Sequence, residues 1–205
     1  MPKHIEPGKL INIFPPFNPI RVKYKDIFDL KGFYETLFEY LKEHGWDDGK
    51  GGVEHWESYY GERIDQSGAK EIWMNWRLAK DADGAPLKYY LDFTWHCIAI
   101  SKAEIVRNGQ KLSMNKGEVE LKIWAFIEKK YEGAFNQHSF LKMFTNIFTK
   151  RIYRKALEAR KKELYQETYA LQNFIKQWFK LKRYLPYEET KNFYPSAAYP
   201  SHIKE

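Results

Sequence analysis

The chain lacks nearly everything that would mark an enzyme, a secreted scaffold or a membrane protein. Its one cysteine, Cys97, cannot form an intramolecular disulfide, and no CxxC pair offers a zinc site. Cys97 sits in an apolar, strand-like run and reads as a small buried hydrophobe. No apolar run approaches the roughly 18–20 residues of a membrane span. The opening MPKHIEPGKL has no apolar stretch of the kind a secretory signal needs. A cytoplasmic protein without a membrane span is the expectation. GxSxG, GxGxxG and HExxH are all absent.

Two remaining places invite chemistry and do not carry it. The glycines of DDGKGG (47–52) follow a helical pattern and lead into a strand. A phosphate loop needs the reverse order, so that a helix N-terminus faces the phosphate; a flexible turn is the reading. His55 and Glu57 share a strand face by the period-two rule. They could meet Asp92 and His96 only if the first and third strands came together. No metal, cofactor or catalytic residue is therefore expected.

The most telling scarcity is of acid near the C-terminus. Between Leu141 and Leu185 three Glu stand against twelve Lys and Arg, a local charge of +9 in a chain whose total is +7. All the excess positive charge lies in that segment, a pattern that points toward a polyanion or an anionic surface.

What is present is a folding sequence. Apolar residues make up 43% of 205, enough for one domain with a real core. Residues 1–21 are Pro-rich and aperiodic, with FPPFNP at 14–19, and read as an extended arm. In DLKGFYETLFEYLKEHG, apolar residues at 30, 33, 34, 37, 38 and 41 predict an amphipathic helix. Asp29 is its N-cap and Gly45 its stop.

After Gly52 the period changes to two. VEHWESYYGERI, KEIWMNWRLAK, KYYLDFTWHCIAI, KAEIVRN and GEVELKIWAFIEKK read as strands, with Asn108-Gly109 as a hairpin turn. Short loops without intervening helices predict an antiparallel meander, whose apolar face the helices must cover. The expected fold is α+β: four to six antiparallel strands packed by an N-terminal helix and a long C-terminal helix. The single domain runs over 22–183, followed by an aromatic tail, 184–205.

Helical pattern returns with FLKMFTNIF (140–148). A phase change predicts a break near 145–149, followed by one helix over 150–183, roughly 50 Å long at 1.5 Å per residue. Leu157, Leu164, Leu171 and Trp178 recur every seven residues, flanked by Ile152, Tyr153, Ala156, Phe174, Ile175 and Leu181. That stripe suits a sheet or a partner helix. Lys150, Arg151, Arg154, Lys155, Lys161 and Lys162 fall on the other side, continued by Tyr165, Tyr169, Lys176 and Lys180. Clustered Lys and Arg bind phosphates by releasing counterions, and Tyr rings stack on unpaired bases. The competing reading is a solvated helix face, although such faces mix signs in i, i+4 pairs.

FDLKGFYETLFEYLKEHGW, KEIWMNW, VRNGQKLSMNKGEVELKI and SFLKMF followed by YRKALE together resemble a family of small basic archaeal proteins without an assigned biochemical function. The similarity spans roughly 22–183. It implies an archaeal cytosolic setting and supplies no catalytic residues.

The residues thus favour a non-enzymatic RNA-binding or ribosome-associated protein that uses the basic helix face and the arms. An acidic protein partner or self-association through the heptad stripe and arms is a second possibility. A helix-grip module is a third, with Met74, Trp76, Phe93 and Trp95 lining an apolar pocket or simply filling the core.

Overall fold

The computed structural model describes residues 10–49, 56–107, 110–136 and 148–181. Strands β1 (Leu10–Asn12) and β2 (Ile20–Phe28) precede helix α1 (Leu30–Glu43). Strands β3 (Glu57–Ile64), β4 (Lys70–Asp81), β5 (Leu87–Arg107) and β6 (Gln110–Lys129) follow. Helix α2 (Lys130–Asn136), a π-helical turn (Phe148–Ile152) and the long helix α3 (Arg154–Trp178) complete it. All six strands form one antiparallel sheet in the order β1-β6-β5-β4-β3, with β2 also on β6. The architecture is the α+β arrangement expected, a meander covered by an N-terminal and a C-terminal helix.

Helix α1 forms where its punctuation says it should. The Asp29 carboxylate accepts from the Gly32 N–H at 3.0 Å, and Gly45 takes the left-handed conformation (φ +77°) just past the end. Gly45 N–H then reaches Lys42 O and Trp46 N–H reaches Leu41 O, both at 3.0 Å. This pair of bonds satisfies carbonyls the helix end would otherwise leave open. It also turns Trp46 inward, where it is buried.

The alternation of the strands places Ile72, Met74, Trp76 and Leu78 of β4 on one face of the sheet. Leu91, Phe93, Trp95 and Cys97 of β5, and Val119, Leu121, Ile123, Ala125 and Ile127 of β6, join them there. Both helices cover this face: Phe33, Leu37 and Leu41 from α1, Leu157, Leu164, Leu171 and Ile175 from α3. Aromatic rings interlock where the helices meet, with Phe33 4.9 Å from Trp178 and Tyr40 stacked 4.0 Å from Phe174. The opposite face carries no helix among the described residues and is laced with ion pairs: Arg77 grips Asp92, Arg21 pairs with Glu120, and Arg63 and His96 share Glu71.

Three expectations change. Residues 88–100 and 102–108 read as two strands, but β5 is one strand with an irregularity between Ile98 and Ser101. Ala99 takes φ +53° there, and Gly117 lies opposite. Within the stretch read as an extended arm, β1 and the start of β2 pair with β6 and run collinearly, so the described edge strand begins at Leu10. The C-terminal helix is shorter than 150–183, because π geometry replaces its first turn and Lys180 at φ +57° ends it. Ile152, read as part of the stripe, is 71% exposed, since the π turn shifts its rotation relative to α3. Of the break expected at 145–149, only residues 148 and 149 are described, and the tail 184–205 lies outside the described residues.

Candidate functional site

Helix α3 is fixed in rotation by what it buries. Leu157, Leu164, Thr168, Leu171 and Ile175 lie against the sheet. The Thr168 hydroxyl turns back on the Leu164 carbonyl at 2.7 Å, which lets a polar side chain share the apolar stripe. Leu157, Leu164 and Leu171 of the heptad stripe are therefore buried within the chain itself, while Trp178 is half-buried and Ala156, read as part of the stripe, is exposed.

Two of the three acids of α3 point toward α1 and the β4–β5 end. Glu167 accepts from the Trp46 indole at 2.9 Å and from Lys80 at 2.6 Å. Glu163 holds Arg160 at 2.7 Å, and the other arm of that guanidinium donates to the Asp83 carbonyl at 2.6 Å. Arg160 is thereby drawn away from the basic set, and its pKa is raised mainly by the Glu163 hydrogen bond.

The remaining cations emerge on the other flank. Arg151, Arg154, Lys155 and Lys162 are exposed and make no ion pair among the described residues. Lys161 is half-buried and bridged to Glu158 at 2.8 Å, so it is partly neutralised. Lys176 is half-buried in the last turn, where a cation suits the helix dipole, and Lys180 is exposed just beyond. Lys150 belongs to the π turn, and its side chain lies outside the described ones.

The contrast with the sheet is informative. Arg21, Lys23, Arg63, Lys70, Arg77 and Lys80 all meet a carboxylate at 2.5–2.8 Å. The start of α3 also works against its own dipole. Its first turn holds no acid and its N-cap, Tyr153, makes no side-chain cap bond, while Arg154 and Lys155 add positive charge at the positive end. That arrangement costs stability, and an anion would relieve it.

Tyr165 and Tyr169 lie on this flank, but not as free planes. Phe14, from the excursion between β1 and β2, stacks on Tyr165 at 5.4 Å and meets Tyr169 edge-on at 5.9 Å. Tyr165 stays 43% exposed, while Tyr169 is half-buried. The Tyr169 hydroxyl donates to Tyr165, and this bond together with burial pushes its pKa up to about 12. Phe14 was not legible as a support for these rings, because it lies some 150 positions away in an aperiodic stretch.

The titratable strand residues do not converge. Glu57 accepts from the Tyr34 hydroxyl at 2.7 Å, beneath α1. His96 is on the uncovered face, 2.9 Å from Glu71 and stacked on Trp73 at 5.4 Å, while Asp92 is held by Arg77. His55 lies outside the described residues. No group of three or more His, Cys, Asp or Glu able to hold a metal occurs among the described residues. No described helix is long and apolar enough to cross a membrane.

Trp76, Phe93 and Trp95 line neither of the cavities formed by the described residues. They pack on one another with ring centroids 5.0–5.8 Å apart and are buried. Met74 instead borders a cavity of about 740 Å³ at the far end of α1.

Compared with known proteins, the chain matches no family model, no curated protein and no solved structure.

Proposed function

We propose that this chain is a non-enzymatic RNA-binding or ribosome-associated protein, with Arg151 of the π turn and Arg154, Lys155 and Lys162 of α3 as its phosphate contacts. The observation that carries this reading is their unneutralised state beside a sheet whose cations are largely paired. Neutralising phosphates would release condensed counterions and remove the repulsion with the helix dipole. Tyr165, braced from one side by Phe14, offers its remaining surface to an unstacked base. Lys176 and Lys180 extend the same flank toward the C-terminal end of the helix.

Self-association through the heptad stripe loses its surface, because Leu157, Leu164 and Leu171 are buried against the sheet. An acidic protein partner on the basic flank would show the same charge dependence, and nuclease treatment separates it from RNA. The resemblance to small basic archaeal proteins adds nothing to the choice.

The test is binding of single-stranded and duplex RNA, and of ribosomes, across a salt series. If the four cations each neutralise a phosphate, the slope of log K against log salt for a single strand is about −3. Reversing all four to Glu should abolish binding while leaving the far-UV spectrum unchanged. Binding that survives the fourfold reversal, or a flat salt series, overturns the proposal.

A further inference from the structure

Among the described residues, the helices do not reach the end of the sheet. Helix α1 begins at Leu30, level with Asn115 and Lys102, while β5 and β6 continue past that level to Arg107 and Gln110. The part of the inner face beside the start of α1 borders a cavity of about 740 Å³. Its floor is apolar, made by Ile72 and Met74 of β4, Ile100 of β5 and Leu30 of α1. Its side walls include two tyrosine rings. Tyr34 is held by its hydrogen bond to Glu57 at 2.7 Å, and Tyr60 by one to Glu62 at 2.6 Å. Both hydroxyls are thus occupied, and both rings are fixed as walls.

The mouth is cationic. Lys31, Lys70 and Lys102 border the cavity, with Glu62 as the acid among its lining residues. Lys70 bridges Glu62 at 2.8 Å. Lys31 has a loose exposed contact to Glu35 at 3.6 Å, and Lys102 makes no ion pair among the described residues. One further donor is available: the Asn115 carbonyl oxygen accepts from the Leu30 N–H at 3.3 Å, which leaves its NH₂ group for a guest. The volume falls within the range of small-molecule sites, which combine an apolar lining with a few polar anchors.

From this geometry we infer that the cavity binds a single-chain amphiphile with an anionic head, the chemistry of a long-chain carboxylate. The apolar body lies on Ile72, Met74 and Ile100, and the carboxylate meets Lys102 and Lys31. The site is on the sheet side of α1 and shares no residue with the α3 flank, so it stands or falls separately from RNA binding.

The experiment is titration of the full chain with a dansyl-labelled undecanoic acid, followed by fluorescence. The expected result is saturable one-to-one binding, displaced by oleate. Met74→Trp, which fills the cavity, should weaken it at least tenfold. Lys102→Glu reverses an exposed charge with no folding role and should weaken the acid probe about tenfold. A matched dansyl alcohol should change less than twofold in that variant. The fourfold Glu variant of Arg151, Arg154, Lys155 and Lys162 should bind the acid as wild type does. Absence of saturable binding overturns the inference. So does wild-type affinity in a folded Met74→Trp protein, or equal loss of acid and alcohol in Lys102→Glu.

Discussion

The indole of Trp46 donates to the carboxylate of Glu167 across 121 positions of sequence, at 2.9 Å, and Lys80 reaches the same oxygen at 2.6 Å. One carboxylate thus joins the end of α1, strand β4 and the middle of α3. It also removes an acid from the solvent side of α3, which helps to leave the opposite flank positive. Glu167→Ala should cost about 2–4 kcal/mol, since it strands a buried indole N–H and a half-buried ammonium together. Urea unfolding measures it. Glu167→Gln, which keeps an acceptor for the indole, should lose less than half as much.

Ala99 and Gly117 face each other across the irregularity in β5. Ala99 holds φ +53°, where glycine is unstrained, so Ala99→Gly should stabilise by about 0.5–1 kcal/mol. Gly117 has no such freedom to give. A Cβ there would stand 2.9 Å from Ile98 O and 3.0 Å from Ala99 O, both backbone atoms. Gly117→Ala should therefore lower the melting temperature, and calorimetry on the two variants should show opposite signs.

Glu120 supplies a pH signature. Burial alone would raise its pKa, but the hydrogen bonds from Arg21 and Lys122 outweigh it and hold the carboxyl below its ordinary value. A depressed folded pKa means that stability is fully present above the unfolded carboxylate value of about 4.3 and is lost as pH falls through the folded one. Melting temperature should thus drop on acidification below about pH 4.3. Glu120→Gln should be less stable than wild type near neutrality, and the gap should narrow in acid. A gap that stays constant from pH 6 to 2.5 would contradict this assignment.

Cys97 should be silent to thiol reagents in the native state. It is buried, and burial pushes its thiol up to about 12, so almost no thiolate exists near pH 8. A chromogenic disulfide should react with about one thiol per chain only after denaturant is added, following unfolding. Rapid reaction of the native protein would show that β5 opens locally.

Phe14→Ala should act on the flank without touching its charges. Removing this ring takes away the support under Tyr165 and Tyr169 and should cost about 2–4 kcal/mol. RNA affinity at a fixed salt concentration should fall severalfold, with the salt slope unchanged, because the phosphate contacts remain. A changed slope would mean that the excursion itself meets phosphate.

The local elements were readable where local chemistry decides them. Asp29 and Gly45 bracket α1, and the alternation around Met74 and Ile123 shows which strand face is inner. Legibility stops where distant residues decide. The pairing of Arg77 with Asp92 depends on the register of β4 against β5, and Phe14 under Tyr165 depends on how the edge strand is interrupted. The end of α3 was missed for another reason. Lys180 takes the left-handed position that glycine usually marks, with Leu181 N–H on Lys176 O at 2.7 Å, so the composition gave no stop. For the basic flank, sequence found the residues and the structure sorted them, since the neutralisation of Arg160 and Lys161 is a matter of which acid lies within reach.

The edge strand carries one more implication. Asn12 stands opposite Phe126 and Ile20 opposite Ile123, so residues 13–19 leave and rejoin a single straight track on β6, where two β6 positions separate the ends. The excursion is a cassette: its exit and entry are fixed by strand pairing on either side, and between them it is anchored by buried Phe14 and by the Trp124 indole, which donates to the Pro16 carbonyl at 3.2 Å. Phe14 points it at α3, and Phe17, fully exposed, lies beyond any contact with the body. Exchanging this cassette for other seven-residue sequences that keep Phe14 would retune the surface beside Tyr165 while the sheet keeps its register, which makes it the place where selection or design could change the partner without rebuilding the fold.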